Sequence, residues 1–202
     1  MGSLVGGYEG CDGVEGYSRP DEKENEMIPF PNKKYSIIYA DPPWNEHGSG
    51  KIKRGADRHY PLMKTSAICD LPVRNISENH AHLYLWVTNN FLKDGLEVME
   101  SWGFRYVTMI TWVKDRVGLG QYFRGMTEHC LFGVRGHLPY KTIKGKRAQG
   151  RTYFIASRQE HSKKPSEMRD MVEHVSGDKG RKKIELFARE RTHGWDVWGN
   201  EV

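Results

Sequence analysis

Cysteine is scarce in this 202-residue chain, where Cys11, Cys69 and Cys130 stand far apart and form no CxxC pair. That excludes the common zinc spacings, argues against a disulfide framework and points to a reducing compartment. The nine histidines make no HExxH or comparable cluster. His80 and His82, flanking Ala81 at what reads as the start of a strand, suit solvated or structural roles, so no metal site is expected. No apolar run approaches the ~18 residues of a membrane span, and no signal-peptide pattern opens the chain, so a soluble protein without a membrane partner is expected. No GxxxxGK(S/T) motif occurs, and Gly118-Leu119-Gly120 alone does not make a phosphate-binding loop.

Charge is unevenly placed. Residues 1–26 hold seven acids against Arg19 and Lys23, with six glycines and few large apolar side chains. They read as a mobile acidic leader. Residues 27–202, read as one domain, carry +10 of a chain whose net charge is +5. A domain that basic attracts polyanions and favours nucleic acid over a small substrate. Two groups of cations stand out. Lys51, Lys53, Arg54 and Arg58 form the first; the second runs from Arg135 to Arg158, with seven basic residues, no acid, and Tyr140, Tyr153 and Phe154 interleaved. Lys51, Lys53, Arg54, Lys144, Lys146 and Arg147 are the candidate phosphate contacts. Tyr153 and Phe154 read better as strand residues.

From Met27 onward strand-like and helix-like segments alternate, without an internal repeat. Strand character marks 35–40 (YSIIYA), 83–88 (LYLWVT), 105–113, 129–134, 152–156 and 183–188 (KIELFA). Leu92, Leu96 and Met99 recur at helical spacing before Gly103. Pro165 opens a second helix with Met168, Met171, Val172 and Val175 on one face and Gly177 beyond its end. The stretches 118–125 and 136–150 read as long loops, which are often functional. This alternation predicts an α/β domain around a mostly parallel sheet, in which ligands bind beyond the carboxyl ends of strands. Asp41 follows such a strand directly.

The sharpest signal is Asp41-Pro42-Pro43-Trp44, a tetrapeptide expected by accident in roughly one chain of this length in several thousand. An exocyclic amine such as adenine's is a poor nucleophile because its lone pair is delocalised into the ring. A carboxylate accepting one amino hydrogen and a carbonyl accepting the other favour a tetrahedral nitrogen with an available lone pair. Asp41 and the Pro42 carbonyl offer those acceptors, Pro42 and Pro43 keep the loop rigid, and Trp44 offers a face for stacking an extruded base. The plainer reading is a proline-rich turn with Trp44 in the core.

Several further motifs follow in order: HYPLM (59–63), LYLWVTNNFL (83–92), WVK (112–114), TEHCLFGVRG (127–136), SKKPSEM (162–168), KIELFAR (183–189) and WGNE (198–201). Together with YADPPW (39–44) they make the chain resemble the family of the messenger-RNA adenosine methyltransferase catalytic subunit and its bacterial and phage adenine-methyltransferase relatives, from about Tyr35 to Glu201. The resemblance implies a single-domain, Rossmann-like fold for S-adenosylmethionine-dependent methyl transfer, with permuted motif order, the catalytic loop preceding the cofactor-binding strand. It places Asp41 on the target amine and near the cofactor's methionine ammonium, and Lys164 on the methionine carboxylate. Arg189 falls beside the ribose, Asn200 and Glu201 hold the ribose hydroxyls, and Tyr60 lines the acceptor pocket. It also implies N6 methylation of adenine in nucleic acid, DNA favoured over RNA, in the cytoplasm of a bacterial or phage-infected cell, and it admits a homo- or heterodimer.

The chain departs from the family at Arg191-Thr192, where the messenger-RNA enzyme has His-Asn, and at Glu201, where it has Gln; no FxGxG-type glycine loop is present. A non-catalytic nucleic-acid-binding subunit of the same fold is the main rival, but such partners usually carry a damaged tetrapeptide and this one is intact. Methylation of a protein side-chain amide goes with Asn-Pro-Pro, whereas Asp41 stands here.

Overall fold

The computed structural model describes residues 28–45, 62–118, 120, 122–159, 163–177 and 180–202. The acidic leader, Lys51, Lys53, Arg54, Arg58 and Tyr60 lie outside the described residues. The structure is α/β and Rossmann-like, built on a seven-stranded sheet.

Strand β1 (Tyr35–Ala40) is buried at every position. A strand covered on both faces needs such a continuous run instead of polar alternation. Short helices α1 (Thr65–Cys69) and α2 (Val73–Ile76) lead into β2 (Ser77–Val87). That strand begins six residues before its LYLWVT stretch, so His80 and His82 lie inside it and not at its start. A 3-10 turn at Asn89–Phe91 precedes α3 (Leu92–Ser101) and β3 (Arg105–Lys114), which pairs with β4 (Thr127–Arg135). A small hairpin of β5 (Thr142–Ile143) and β6 (Lys146–Arg147) interrupts the stretch read as one loop. Its two-residue turn, Lys144-Gly145, takes positive φ at both positions, 50° and 74°, as a tight hairpin requires. β7 (Tyr153–Ala156), α4 (Ser166–Val175), β8 (Lys183–Leu186) and β9 (Asp196–Trp198) complete the order.

The sheet runs β7-β3-β4-β2-β1-β8-β9, and only β4 is antiparallel to its neighbours. The carboxyl ends of the other six strands therefore meet at one edge, together with the start of β4. Ile38, Ala40, Leu83, Leu85 and Leu131 face α1 to α3; Ile37, Tyr39, Trp86 and Trp112 face Met168 and Val172 of α4. On α3 the buried face is Gly95, Val98 and Met99, while Leu92 and Leu96 are exposed, contrary to their helical spacing. Gly95 sets this rotation. A Cβ there would stand 2.4 Å from Val87 Cγ1, so only glycine lets the helix approach the sheet this closely.

Candidate active site

The carboxyl edge gathers the charged groups. Asp41 extends β1 past Ala40, its amide donating to the Leu186 carbonyl at 3.4 Å. Lys164, immediately before the Pro165 cap of α4, reaches back over this edge and donates to Asp41 Oδ2 at 2.7 Å. The same ammonium lies 3.5 Å from Glu128 Oε2 and 5.3 Å from the Trp86 ring centroid. Glu128 is the second residue of β4, and Lys114, the last residue of β3, pairs with its other oxygen at 2.5 Å. The four side chains alternate in sign, with exposures between 14% and 19%. Burial alone would push Lys164 down, but Asp41 and Glu128 overcome it and raise its pKa. Burial likewise works to raise Glu128, and the two lysines beside it hold it below the usual carboxylate range. Both groups stay ionised at neutral pH. Asp41 Oδ1 is engaged by no described residue.

The double-proline loop is tied down at both carbonyls. Trp44 N–H donates to Pro42 O at 2.9 Å, and Met63 N–H donates to Pro43 O at 2.8 Å. A carbonyl has two lone pairs, so the Pro42 bond leaves one acceptor site. Trp44 departs from the expected stacking platform. It is 7% exposed, its indole donates to the Trp86 carbonyl at 3.0 Å, and Phe91 stacks on it at 5.4 Å. Its face is spent on packing that fixes the loop, the plainer of the two readings.

On the other side of Asp41, β8 ends in a bend. Phe187 has φ 62°, a left-handed conformation that costs a non-glycine residue about 1–3 kcal/mol and clusters at functional sites. The bend lets Ala188 N–H donate to Trp198 O at 3.0 Å, and Gly199 packs so close that a Cβ would stand 2.3 Å from Ala188 O. Arg189 and the Asn200-Glu201 turn are brought side by side, with Arg189 Nε 3.9 Å from Glu201 Oε1. Asn200 and Glu201 are exposed. An ammonium beside a carboxylate can pair with the two charged ends of a zwitterionic amino acid, and Arg189 with Glu201 offers hydrogen-bond donors and acceptors for polar groups.

The hairpin cations do not join this edge. β4 runs from His129 beside Val87 to Arg135 beside Ala81, so the chain leaves it at the amino edge of the sheet. There Lys141 donates to Glu173 O near the end of α4, and Arg147 stacks on Tyr140 at 3.3 Å. Lys144, Lys146 and Arg147 thus stand away from Asp41, because an antiparallel strand reverses the chain before they occur. Arg191 is also remote. It lines a cavity of about 420 Å³ at the amino edge with Lys33, Tyr35 and Asp196. Glu128 and Lys114 carried no assigned role in the sequence. The signal that could have found Glu128 is an acid placed within an apolar strand, just before Cys130 and Leu131.

The MT-A70 family profile matches residues 35–201. The type II methyltransferase M.MunI of Mycoplasma sp is 32% identical over 197 residues, covering 88% of this chain and 82% of that protein. The N(6)-adenosine-methyltransferase catalytic subunit METTL3 of Homo sapiens is 30% identical over 179 residues, 84% of this chain and 28% of its own length. The MT-A70-like N(6)-adenosine-methyltransferase of Arabidopsis thaliana is 30% identical over 178 residues, 83% and 24% respectively. The chain thus spans most of the bacterial relative and about a quarter of the eukaryotic ones. Among the described residues, no helix is long and apolar enough to cross a membrane.

Proposed function

The chain belongs to the MT-A70 family, and from that premise we propose that it transfers a methyl group from S-adenosylmethionine to the exocyclic N6 amine of adenine in nucleic acid, DNA in preference to RNA. The observation that carries this reading is the alternating chain Asp41–Lys164–Glu128–Lys114 at the sheet's carboxyl edge, with the rigid Pro42-Pro43 loop beside it. The preference for DNA leans on the likeness to the type II methyltransferase M.MunI, most of whose length the chain matches.

When bound, S-adenosylmethionine supplies an electrophilic methyl carried on a sulfonium. Lys164 would hold its methionine carboxylate and Asp41 its ammonium, while Arg189, Asn200 and Glu201 would hold the ribose. Asp41 Oδ1 and the remaining lone pair of the Pro42 carbonyl accept the two amino hydrogens of the adenine. So held, the nitrogen lone pair would be drawn out of the ring and available to the methyl that the bound cofactor would supply, and the proton the amine gives up would pass by way of Asp41 Oδ1, which already accepts it, to solvent. No group on the protein is alkylated. Most of the rate gain comes from holding two substrates in line, which contributes ~7–11 kcal/mol. A duplex target requires the adenine to be flipped out, at a few kcal/mol.

On the acceptor side, the reading assigns Tyr60 to the adenine and Lys51, Lys53 and Arg54, which follow the tetrapeptide in sequence, to its flanking phosphates. The hairpin cations Lys144, Lys146 and Arg147 add long-range attraction for a polyanion without positioning the base. The test is methyl transfer from tritiated S-adenosylmethionine to DNA and RNA pools, followed by nucleoside analysis. Label in N6-methyldeoxyadenosine is expected, label in N6-methyladenosine alone reverses the DNA preference, and label in neither overturns the activity.

A further inference from the structure

The 115–126 connection between β3 and β4 stands at the same edge as Asp41, because Lys114 and Glu128 are the residues at its two feet. Its described residues are joined across the two arms. Lys114 N–H donates to Met126 O, Gly118 N–H donates to Gly125 O, each at 2.8 Å, and Arg124 Nε donates back to Gly118 O at 2.8 Å. The amide of Arg158, arriving from β7, buttresses the base by donating to Asp115 at 2.9 Å. On this braced stem Tyr122 and Phe123 are each 93% exposed, the most solvent-facing large aromatics among the described residues. Two adjacent aromatic rings held out in water add no buried apolar surface to the fold and leave their faces open to a partner. Their flanks are Arg116 and Arg124, and the catalytic carboxylate lies at the same edge.

We propose that this tip is a base-stacking element that engages nucleic acid beside the target adenine, the aromatic rings meeting unpaired base faces and the arginines meeting phosphates. The inference rests on the proposed nucleic-acid acceptor and adds to it a contact surface outside the catalytic pocket. Stacking on aromatics is tolerant of sequence, since every base has a π-face. The rings therefore supply affinity and hold the strand open instead of reading its bases. Charge complementarity favours this occupant over a second copy of the chain, which is itself basic.

The test uses the full chain and a fluorescent oligonucleotide containing adenine, single-stranded and as a duplex, with binding followed by anisotropy. Methyl transfer by the wild type is measured first on the same oligonucleotides. The variant Y122A/F123A should bind the single strand about tenfold more weakly or worse, the loss expected from one stacked base. The slope of log affinity against log salt should stay as in wild type, because no phosphate contact is removed. Exposed side chains carry little stability, so its melting temperature and S-adenosylmethionine affinity should match wild type. The conservative variant Y122F/F123Y should bind normally. Unaltered affinity in Y122A/F123A, with wild type binding and methylating, would overturn the stacking role alone. A wild-type dimer that dissociates in Y122A/F123A, at equal affinity per protomer, would overturn it too and make the tip a subunit contact. A wild type that neither binds nor methylates would overturn the acceptor reading itself.

Discussion

Replacing Lys164 by methionine removes one charge from the centre of the edge network and keeps the bulk of the side chain. At an effective dielectric of about 20, its attraction to Asp41 at 2.7 Å is about 6 kcal/mol and to Glu128 at 3.5 Å about 5 kcal/mol. Desolvation of the ammonium cancels several kcal/mol of that, yet the variant leaves two carboxylates facing each other without their shared partner. Breaking a buried pair from one side costs about 3–5 kcal/mol, and the residual exposure of 14% to 19% argues for about 3. Urea denaturation should show the loss as a fall in midpoint of about 1.5 M, for an m-value near ~2 kcal/mol/M. Asp41→Asn should cost less in the Lys164→Met background than alone, by about 1.5 kcal/mol or more. Calorimetric titration of S-adenosylmethionine should weaken by about 10- to 150-fold, the worth of one charged hydrogen bond. Additive effects within ~0.5 kcal/mol and unaltered cofactor affinity would refute the network.

Three further outcomes follow from other parts of the molecule. Burial, with Arg181 nearby, depresses the His82 imidazole to about 4, whereas an unfolded chain protonates it near 6.5; its contribution is complete above pH 6.5 and lost as pH falls to 4, at most about 3 kcal/mol. Urea titrations at pH 7 and 4.5 should show that loss in wild type and not in His82→Gln; equal pH slopes would remove the assignment. Gly95→Ala should destabilise by about 1–3 kcal/mol through overpacking against Val87, although alanine is the better helix former; a raised melting temperature would contradict the close approach. Deleting residues 1–26, net −5, should raise oligonucleotide affinity at low salt and leave it unchanged at high salt, and equal affinities at low salt would show that the leader does not screen the basic domain.

The strands were legible where burial is symmetrical. YSIIYA is apolar at nearly every position because both faces are covered, and Asp41 stands out by ending that run. The alternation of elements pointed to the parallel sheet for the same reason. What stayed hidden depends on distant partners. The Asp41–Lys164 bond joins residues 123 apart, and no local pattern encodes it beyond the family motifs. Trp44 could be a platform or a core residue until Phe91 and the Trp86 carbonyl occupy it. Leu92 and Leu96 keep helical spacing yet face water, because the rotation of α3 is set by the missing side chain of Gly95. The basic stretch after Arg135 read as a phosphate-binding surface; strand direction sets it apart from the catalytic loop. Short elements such as β9 and the β5–β6 hairpin are too brief for periodicity to mark.

The activating role of Asp41 is most directly tested by single-turnover methyl transfer in Asp41→Ala, with S-adenosylmethionine saturating and its occupancy measured in the same sample. Glu128 still pairs with Lys164 in that variant, so a folded protein is expected, with label transfer to adenine abolished even where the cofactor is bound. Transfer at a rate near that of wild type would contradict the claim that this carboxylate prepares the amine.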